Sequence, residues 1–297
     1  MVLVTALVYI LVVTSVYAQS PATKKLDVVK IRANAGPQYY YELIERALAL
    51  SRDVYGDYGI ELYAGAPSSA RITEEVKQGD RLNLVWAPAL KSVYGVDQLI
   101  PIPIPLLKGL SGFRVAIIHR DNQAAFGQIR DKLALNDMMI GLEFGWAEVA
   151  IYEANGISVT TAPYTSLYPM LQVKRIGALP LGVEQAVSSL SKRRHKFPDL
   201  IIDSELLIRY PMPIFFFVSQ STPNLAIRIR YGLELMIKRG EMDELFKRSF
   251  KEEIKSLNLK NRRVISIKNP LLLDEMPMLR KELWLNLEDL NFESNLP

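Results

Sequence analysis

Apolar and polar positions along the chain predict short strands separated by amphipathic helices. The segment at 26–31 is rich in β-branched residues, and the stretch at 39–54 that follows has apolar side chains at helical spacing. The order continues with a short strand at 60–63, a helix that ends at Gly79, and an apolar run at 82–86. Strands that alternate with helices of about ten to fifteen residues indicate βαβ units and a mainly parallel sheet.

The rest of the chain continues this pattern, and one segment is typical of a connector. We predict further strands at 113–118, 139–144, 157–160, 176–181, 206–209 and 214–219, with helices between most of them. Tyr210-Pro211-Met212-Pro213 separates the last two strands. Because its two prolines give a stiff, extended backbone that lacks two N–H donors, we interpret the segment as a crossover between two lobes.

The predicted fold class is therefore α/β, with two doubly wound lobes and mainly parallel sheets. The length of 297 residues fits two units of about 150 residues each. With the crossover placed at the proline pair, lobe 1 is expected to comprise residues 26–118 and 214–297. Lobe 2 is then expected to comprise residues 119–213.

The first eighteen residues form a separate, strongly apolar segment. Residues 1–18 contain 15 apolar side chains and no charged one, a length that is also sufficient to span a bilayer. The N-terminal position, the polar Thr14 and Ser15, and the small-residue site Val16-Tyr17-Ala18 favour a cleaved signal peptide, with the mature chain starting at Gln19. An uncleaved anchor and a buried N-terminal element are the alternatives. We expect an exported, periplasmic protein.

Composition excludes several chemistries. The chain has no Cys, so it has no disulfide, no Cys-ligated zinc, no iron–sulfur cluster and no thiol catalysis. A net charge of +4 is too mild to indicate a nucleic-acid partner. Neither His119 nor His195 stands in a metal-binding spacing, and no nucleophile elbow, phosphate loop or dinucleotide fingerprint is present. We therefore expect no metal, no cofactor and no enzymatic activity.

The order of elements and a few short motifs resemble bacterial extracellular solute-binding proteins of family 3. The similar region is 26–250, with a helix–Gly–Asp–strand element at 77–85, a strand–Gly–helix turn at 140–146, and motifs at 171–178 and 240–246. The resemblance implies a type II periplasmic-binding-protein-like fold, in which a two-strand hinge joins the lobes. It also implies capture of a small polar molecule in the interlobe cleft by hinge closure, as in the substrate-binding domain of an ABC transporter.

Aromatic residues at the carboxyl ends of two predicted strands are the first candidate ligand contacts. Tyr40, within Tyr39-Tyr40-Tyr41, lies between the first strand and the first helix, and Trp86 ends the apolar run at 82–86. Open α/β sheets bind ligands at this edge. Each residue is either a wall of the cleft or a packed core residue.

On the second lobe, the candidates are Gly145, Trp146 and Glu184. Gly145-Trp146 lies where a strand enters a helix, and free N–H groups at a helix start can bind an anion; an ordinary turn is the alternative. The resemblance implies that Glu184 pairs with an ammonium group of the ligand. A solvated glutamate at a helix start is the alternative, because it is favourable with the helix dipole.

Lys91 marks a departure from the family pattern. Amino-acid binders of this family carry an arginine in a Thr–x–x–Arg context that clamps the ligand carboxylate, whereas the segment at 88–94 has no arginine. Lys91 offers a point charge but not the planar bidentate fork of a guanidinium. Either Lys91 and the N–H groups near Gly145 bind a carboxylate, or Lys91 is a surface residue and the ligand has no carboxylate. We favour the second.

The predicted function is capture of an amino-acid-like or other small polar metabolite, for transport or sensing. The expected partners are the small-molecule ligand and a membrane permease or sensor, and the chain is expected to be a monomer. Two other classes stay open, since fold alone does not assign function. One is a dehydratase-like or lyase-like enzyme that uses Glu184 as general acid and base. The other is an envelope protein that binds a partner without any ligand.

Overall fold

The structure, a computed structural model, describes residues 26–34, 36–65, 69–91, 95–274 and 276–289. The predicted signal peptide at residues 1–18 lies outside the described residues. The strands are β1 (Asp27–Arg32), β2 (Tyr58–Tyr63), β3 (Leu84–Pro88), β4 (Ile100–Ile102), β5 (Phe113–His119), β6 (Ile140–Glu143), β7 (Val159–Ala162), β8 (Ala178–Gly182), β9 (Leu200–Ile202), β10 (Leu206–Arg209), β11 (Ile214–Val218) and β12 (Arg263–Ser266). The α-helices are α1 (Gln38–Leu50), α2 (Arg52–Tyr55), α3 (Ser69–Gln78), α4 (Gln123–Phe126), α5 (Ala147–Glu153), α6 (Tyr164–Gln172), α7 (Val183–Ser191), α8 (Pro223–Lys238) and α9 (Glu241–Ser256).

Lobe 1 is built on two small sheets that a buried asparagine joins. β1 and β2 pair in parallel, and a second sheet has the order β3-β11-β4 with antiparallel pairing. Asn83 is 2% exposed and lies between the sheets. Its Oδ1 accepts from the Lys30 N–H at 2.8 Å, and its Nδ2 donates to the Val28 carbonyl at 2.8 Å. This one side chain therefore supplies hydrogen bonds that a continuous ladder would otherwise make.

Lobe 2 is built on a seven-stranded sheet of order β12-β10-β5-β8-β6-β7, with β9 pairing with β5. β6 runs parallel to β7 and β8, and β10 runs parallel to β12, whereas β5 is antiparallel to its neighbours. All seven residues of β5 are buried. The predicted α/β fold of two lobes is confirmed.

The strand pairing corrects the predicted boundaries between the lobes. Residues 113–118 were expected in lobe 1, yet they form the centre of the lobe 2 sheet. Residues 263–266 were also expected in lobe 1, and they pair with β10 at the edge of that sheet. The physical reason is that an apolar run such as β5 fits the interior of either sheet, and only its long-range hydrogen bonds decide which one.

Two segments cross between the lobes side by side. The first contains a 3₁₀ turn at Leu110–Gly112 and leads from β4 into β5, and the second is the predicted connector at 210–213 between β10 and β11. The Tyr210 N–H donates to the Gly112 carbonyl at 3.0 Å. A Cβ at Gly112 would lie 1.9 Å from the Tyr210 carbonyl oxygen, so only glycine allows this close approach. We call these two segments the hinge.

The C-terminal part of the chain returns from lobe 2 to lobe 1 across the hinge. After β12, Asn269 Nδ2 donates to the Pro211 carbonyl at 2.7 Å, and Leu272 forms a bridge with Leu90. Further on, the Leu285 N–H donates to the Lys108 carbonyl at 2.8 Å. We call the described residues from 267 onward the C-terminal strap.

A continuous apolar core also extends across both lobes. It contains Leu43 of α1 and Phe216 of β11 in lobe 1, together with Leu179 of β8 and Tyr168 of α6 in lobe 2. Within the described ranges, no helix combines the length and the apolar character that a bilayer crossing needs.

Candidate functional site

Three aromatic side chains form a wall on lobe 1, where the middle of β3 meets the start of α1. The rings of Tyr40 and Trp86 stack with centroids 4.9 Å apart and planes 17° apart. Tyr41 contacts Trp86 edge-on at 5.4 Å, and its hydroxyl donates to the Arg32 carbonyl at 2.6 Å. We call Tyr40, Tyr41 and Trp86 the aromatic wall. Tyr39 and Tyr40 are both buried in the apolar core, and the Tyr39 hydroxyl donates to the Leu106 carbonyl at 2.6 Å.

A buried polar cluster lies at the hinge, between elements of lobe 2 and the two crossing segments. At its centre Arg114 Nη2 of β5 donates to Glu148 Oε1 of α5 at 2.6 Å, and these side chains are 5% and 9% exposed. Met212 of the second crossing segment contacts the same Nη2 through its sulfur at 3.0 Å. We call the set the hinge cluster, and its members are Ser111, Arg114, Glu148, Tyr152, Glu184 and Tyr210.

Five polar atoms of the hinge cluster are buried and have no hydrogen-bond partner: Ser111 Oγ, Arg114 Nε, Tyr152 Oη, Glu184 Oε2 and Tyr210 Oη. Each such atom costs about 1–3 kcal/mol when it is removed from water without a partner. Native proteins contain few of them, and they concentrate where a function explains them. A polar molecule bound beside Arg114 would meet both donors and acceptors, since Glu184 Oε2 accepts and the guanidinium Nε donates.

Burial shifts the protonation of the groups that face each other here. The pKa of Glu184 is raised, mainly because its carboxylate is removed from water, although the nearby Arg114 opposes that shift. The Ser111 hydroxyl also lowers the pKa of Glu184 somewhat, but the two groups lack the geometry of a full hydrogen bond. Burial raises the pKa of Tyr40, and the charge of Glu184 raises it further. Glu184 therefore acts electrostatically on both the hinge cluster and the aromatic wall.

The structure brings together three of the six residues predicted from the sequence. Tyr40 and Trp86 are in contact, and Glu184 is within electrostatic reach of Tyr40. Glu184 as a whole residue is half-buried while its Oε2 is inaccessible, so it is not a fully solvated helix-start glutamate. Their roles as ligand contacts stay predictions.

The structure places the other three predicted residues elsewhere. Lys91 lies at the surface, where its ammonium group pairs with Asp274 of the C-terminal strap. Gly145 is exposed in the turn before α5 with φ +78°, and Trp146 packs on Tyr164 with ring centroids 5.7 Å apart. The surface position of Lys91 is the alternative that the sequence interpretation favoured.

Sequence reasoning missed most of the hinge cluster. The signal that was available is Arg114, an isolated cation inside the apolar run Phe113-Arg-Val-Ala-Ile-Ile. A charged residue in a fully buried strand needs a partner, because burial of an unpaired charge is costly. The partner Glu148 and the buried Tyr152 are four residues apart on α5, so they share one helix face. Among the described residues, no group of three or more His, Asp or Glu side chains is arranged to bind a metal ion.

Comparison with known proteins identifies the fold. No family model and no curated protein sequence matches the chain. Among solved structures, the GluR0 ligand-binding core in complex with L-glutamate has a TM-score of 0.54 at 16% identity, covering 77% of this chain and 99% of that one. An ancestral arginine-binding protein bound to arginine has a TM-score of 0.52 at 14% identity, covering 75% and 98%. A histidine kinase sensor domain with similarity to periplasmic binding proteins has a TM-score of 0.50 at 16% identity, covering 76% and 96%. The chain therefore has the two-lobed fold of the type II periplasmic binding proteins.

Proposed function

We propose that this chain is an exported, periplasmic solute-binding protein that captures a small polar molecule between its lobes. The bound molecule contacts the aromatic wall on lobe 1 and the hinge cluster on the side of lobe 2. The partner that receives the loaded protein is a membrane permease or a sensor, and the chain works as a monomer. Structural relatives named as an arginine-binding protein and as a sensor domain support these two roles.

The observation that carries the proposal is the group of buried polar atoms without partners at the hinge. They belong to both crossing segments, through Ser111 and Tyr210, and to lobe 2, through Arg114 and Glu184. A molecule that hydrogen-bonds to all of them contacts the parts of the chain that must move when the lobes rotate. Binding then favours the closed arrangement to the extent that its contacts differ between the open and closed states.

Each part of the proposed site has its own task. The half-buried Trp86 ring, stacked on the buried Tyr40, offers a flat apolar face against which an alkyl chain or a ring of the ligand packs. The Glu184 carboxylate accepts hydrogen bonds from a cationic or N–H group. The unpaired Arg114 Nε and the tyrosine hydroxyls donate to oxygen atoms of the ligand.

One observation favours a second candidate, a lyase-like enzyme on the same fold. Burial raises the pKa of the Glu184 carboxyl, and a raised pKa favours the protonated form that a general acid requires. The two candidates differ in the fate of the ligand, because a binding protein releases it unchanged.

The test starts with native mass spectrometry of the purified chain, to identify the molecule that co-purifies with it. Calorimetry with that molecule then compares the parent chain with Glu184→Gln and Trp86→Leu. We expect Glu184→Gln to bind at least about tenfold more weakly, since a hydrogen bond to a charged group contributes about 1.5–3 kcal/mol. We also expect Trp86→Leu to bind more weakly, because it removes the aromatic face against which the ligand packs.

Glu153→Gln is the matched control, because Glu153 is exposed at the end of α5, and we expect its affinity to be unchanged. Parental affinity in both site variants would show that the ligand binds elsewhere. Recovery of a chemically altered molecule after incubation would favour the enzyme.

A further inference from the structure

A cavity of about 290 Å³ lies on lobe 1 and carries an excess of positive charge. Its charged lining consists of Arg32, Arg71, Arg81 and Glu75. Three guanidinium groups and one carboxylate give this lining a net charge of +2. We call it the arginine cavity. It is separate from the hinge cluster, with which it shares no residue.

The arginine cavity lies at the carboxyl ends of β1 and β2. Arg32 is the last residue of β1 and Tyr63 is the last residue of β2, and the two are partners in the parallel register. Tyr63 also lines the cavity. The carboxyl ends of parallel strands are where open α/β sheets bind their ligands.

The other two arginines come from α3 and from the turn before β3. Arg71 lies on α3 and pairs with Glu75 one turn later, at 3.3 Å, which holds this guanidinium at the cavity wall. Arg81, in the turn before β3, lies over the Tyr63 ring with its guanidinium carbon 5.9 Å from the ring centroid. The Tyr63 hydroxyl donates to Glu61 at 2.8 Å, which fixes the ring under Arg81.

Hydrogen bonding and packing connect the arginine cavity to the aromatic wall. The Tyr41 hydroxyl donates to the backbone carbonyl of Arg32, and the Tyr41 ring contacts Trp86. Tyr41 therefore contacts both Trp86 and Arg32, and Arg32 lines the arginine cavity. Lys91, paired with Asp274 at the surface, is not part of this arrangement. Its surface position leaves open whether the ligand carries an anionic group, because other cations of lobe 1 can bind one.

We propose that the arginine cavity binds a small oxyanion with two negative charges, as found in dicarboxylates and phosphate monoesters. The lining has two more guanidinium groups than carboxylates, and a dianion offsets this excess of positive charge. The planar fork of each guanidinium also matches the oxygen spacing of a carboxylate or a phosphate. The inference adds that the ligand of the proposed function carries an anionic group, which binds on the lobe 1 side of the site. To that extent it rests on the proposed function.

The test is isothermal calorimetry of the full chain with two probes, succinate and inorganic phosphate, in a buffer that contains neither. We expect at least one of them to bind, and more weakly as salt rises, because screening weakens contacts between exposed charges. The probe that binds more tightly identifies the source, a dicarboxylate or a phosphate. Arg81→Gln should weaken binding by about tenfold or more, and Arg81→Lys, which keeps the charge but loses the fork, by less.

Arg230→Gln is the matched control, since Arg230 is an exposed arginine of α8 that does not line the cavity. We expect it to bind as the parent does. Circular dichroism checks that each variant is folded, and Arg32→Gln serves as a second cavity variant if Arg81→Gln does not fold.

Three results separate this inference from the proposed function. Absence of binding for both probes up to about 10 mM, or parental binding in Arg81→Gln, would overturn the inference. If the co-purifying ligand still loses affinity in Trp86→Leu, the proposed function stands without it. If a probe binds and depends on Arg81, the inference stands, even where Trp86→Leu and Glu184→Gln leave the affinity for the co-purifying ligand unchanged.

Discussion

Replacing Arg114 with methionine should destabilise the fold more than replacing its ion-pair partner Glu148 with leucine. Two carboxylates lie near Arg114. It pairs with Glu148 at 2.6 Å, and its charge lowers the pKa of Glu184. Arg114→Met leaves both buried carboxylates without a cation. Glu148→Leu leaves the guanidinium with Glu184 as its remaining counter-charge.

The structure sets the expected magnitudes. The Arg114 and Glu148 side chains are 5% and 9% exposed, so water compensates little when one partner is removed. Breaking a buried pair by removing one partner costs about 3–5 kcal/mol, and we expect Arg114→Met to fall in that range. For Glu148→Leu we expect about 1.5–3 kcal/mol, the contribution of one hydrogen bond to a charged group.

Urea unfolding at neutral pH measures both values. Tryptophan fluorescence and far-ultraviolet circular dichroism should give coincident transitions, which would justify a single free energy of unfolding. Glu153→Leu, at an exposed position of the same helix, is the control and should change that free energy by less than about 0.5 kcal/mol. The reasoning fails if Glu148→Leu costs as much as Arg114→Met, or if Arg114→Met costs less than about 1 kcal/mol.

Three further predictions concern other parts of the molecule. Burial raises the pKa of Glu184 in the folded chain. The protonated carboxyl therefore contributes fully to the free energy of unfolding below its ordinary pKa of 4.5, and this contribution is lost as pH rises through the raised pKa. Urea unfolding across this pH range should therefore show a smaller decrease in stability for Glu184→Gln than for the parent, and equal decreases would contradict the assignment. Asn83→Leu should lower the free energy of unfolding by about 1–3 kcal/mol for each of the two backbone groups it leaves unpaired, and a loss below about 1 kcal/mol would show that the two sheets do not depend on it. In Gly232→Ala, the new Cβ lies 2.0 Å from the Ala47 carbonyl oxygen, between α8 and α1. We expect the free energy of unfolding to fall by about 1–3 kcal/mol, which is measured as a lower melting temperature. An unchanged melting temperature would mean that the two helices can move apart freely.

Local elements could be predicted from the sequence where one pattern dominates. The apolar stripe of α1 is a clear case, although the single helix expected at 39–54 is divided in two at Ser51. The Ser51 hydroxyl donates to the Leu48 carbonyl and accepts from Arg228 of α8, a contact 177 residues away in the chain. A contact between residues so far apart in the chain leaves no local sequence pattern from which it could be predicted.

Apart from Glu184, the members of the hinge cluster could not be predicted from the sequence for the same reason. Its members come from β5, α5, α7 and the two crossing segments, so their meeting depends on how the lobe 2 sheet is ordered. Arg114 alone carried a local signal, as a cation in an apolar strand. Glu184 and Tyr40 were found because they follow β8 and β1, and the carboxyl ends of strands converge in this class of fold. Trp86 was found because it ends the apolar run at 82–86, although it lies in the middle of β3.

The position of β11 between β3 and β4 has a consequence for synthesis of the chain. Ribosomes make the chain from its N-terminus, and the middle strand of this lobe 1 sheet is complete only at Val218, after most of lobe 2 has been made. Until then β3 and β4 have no partner between them, and unpaired apolar strands invite aggregation. The edge strand of the lobe 2 sheet, β12, is complete later still, at Ser266. The nascent chain therefore needs protection from premature association until about nine-tenths of it has been translated.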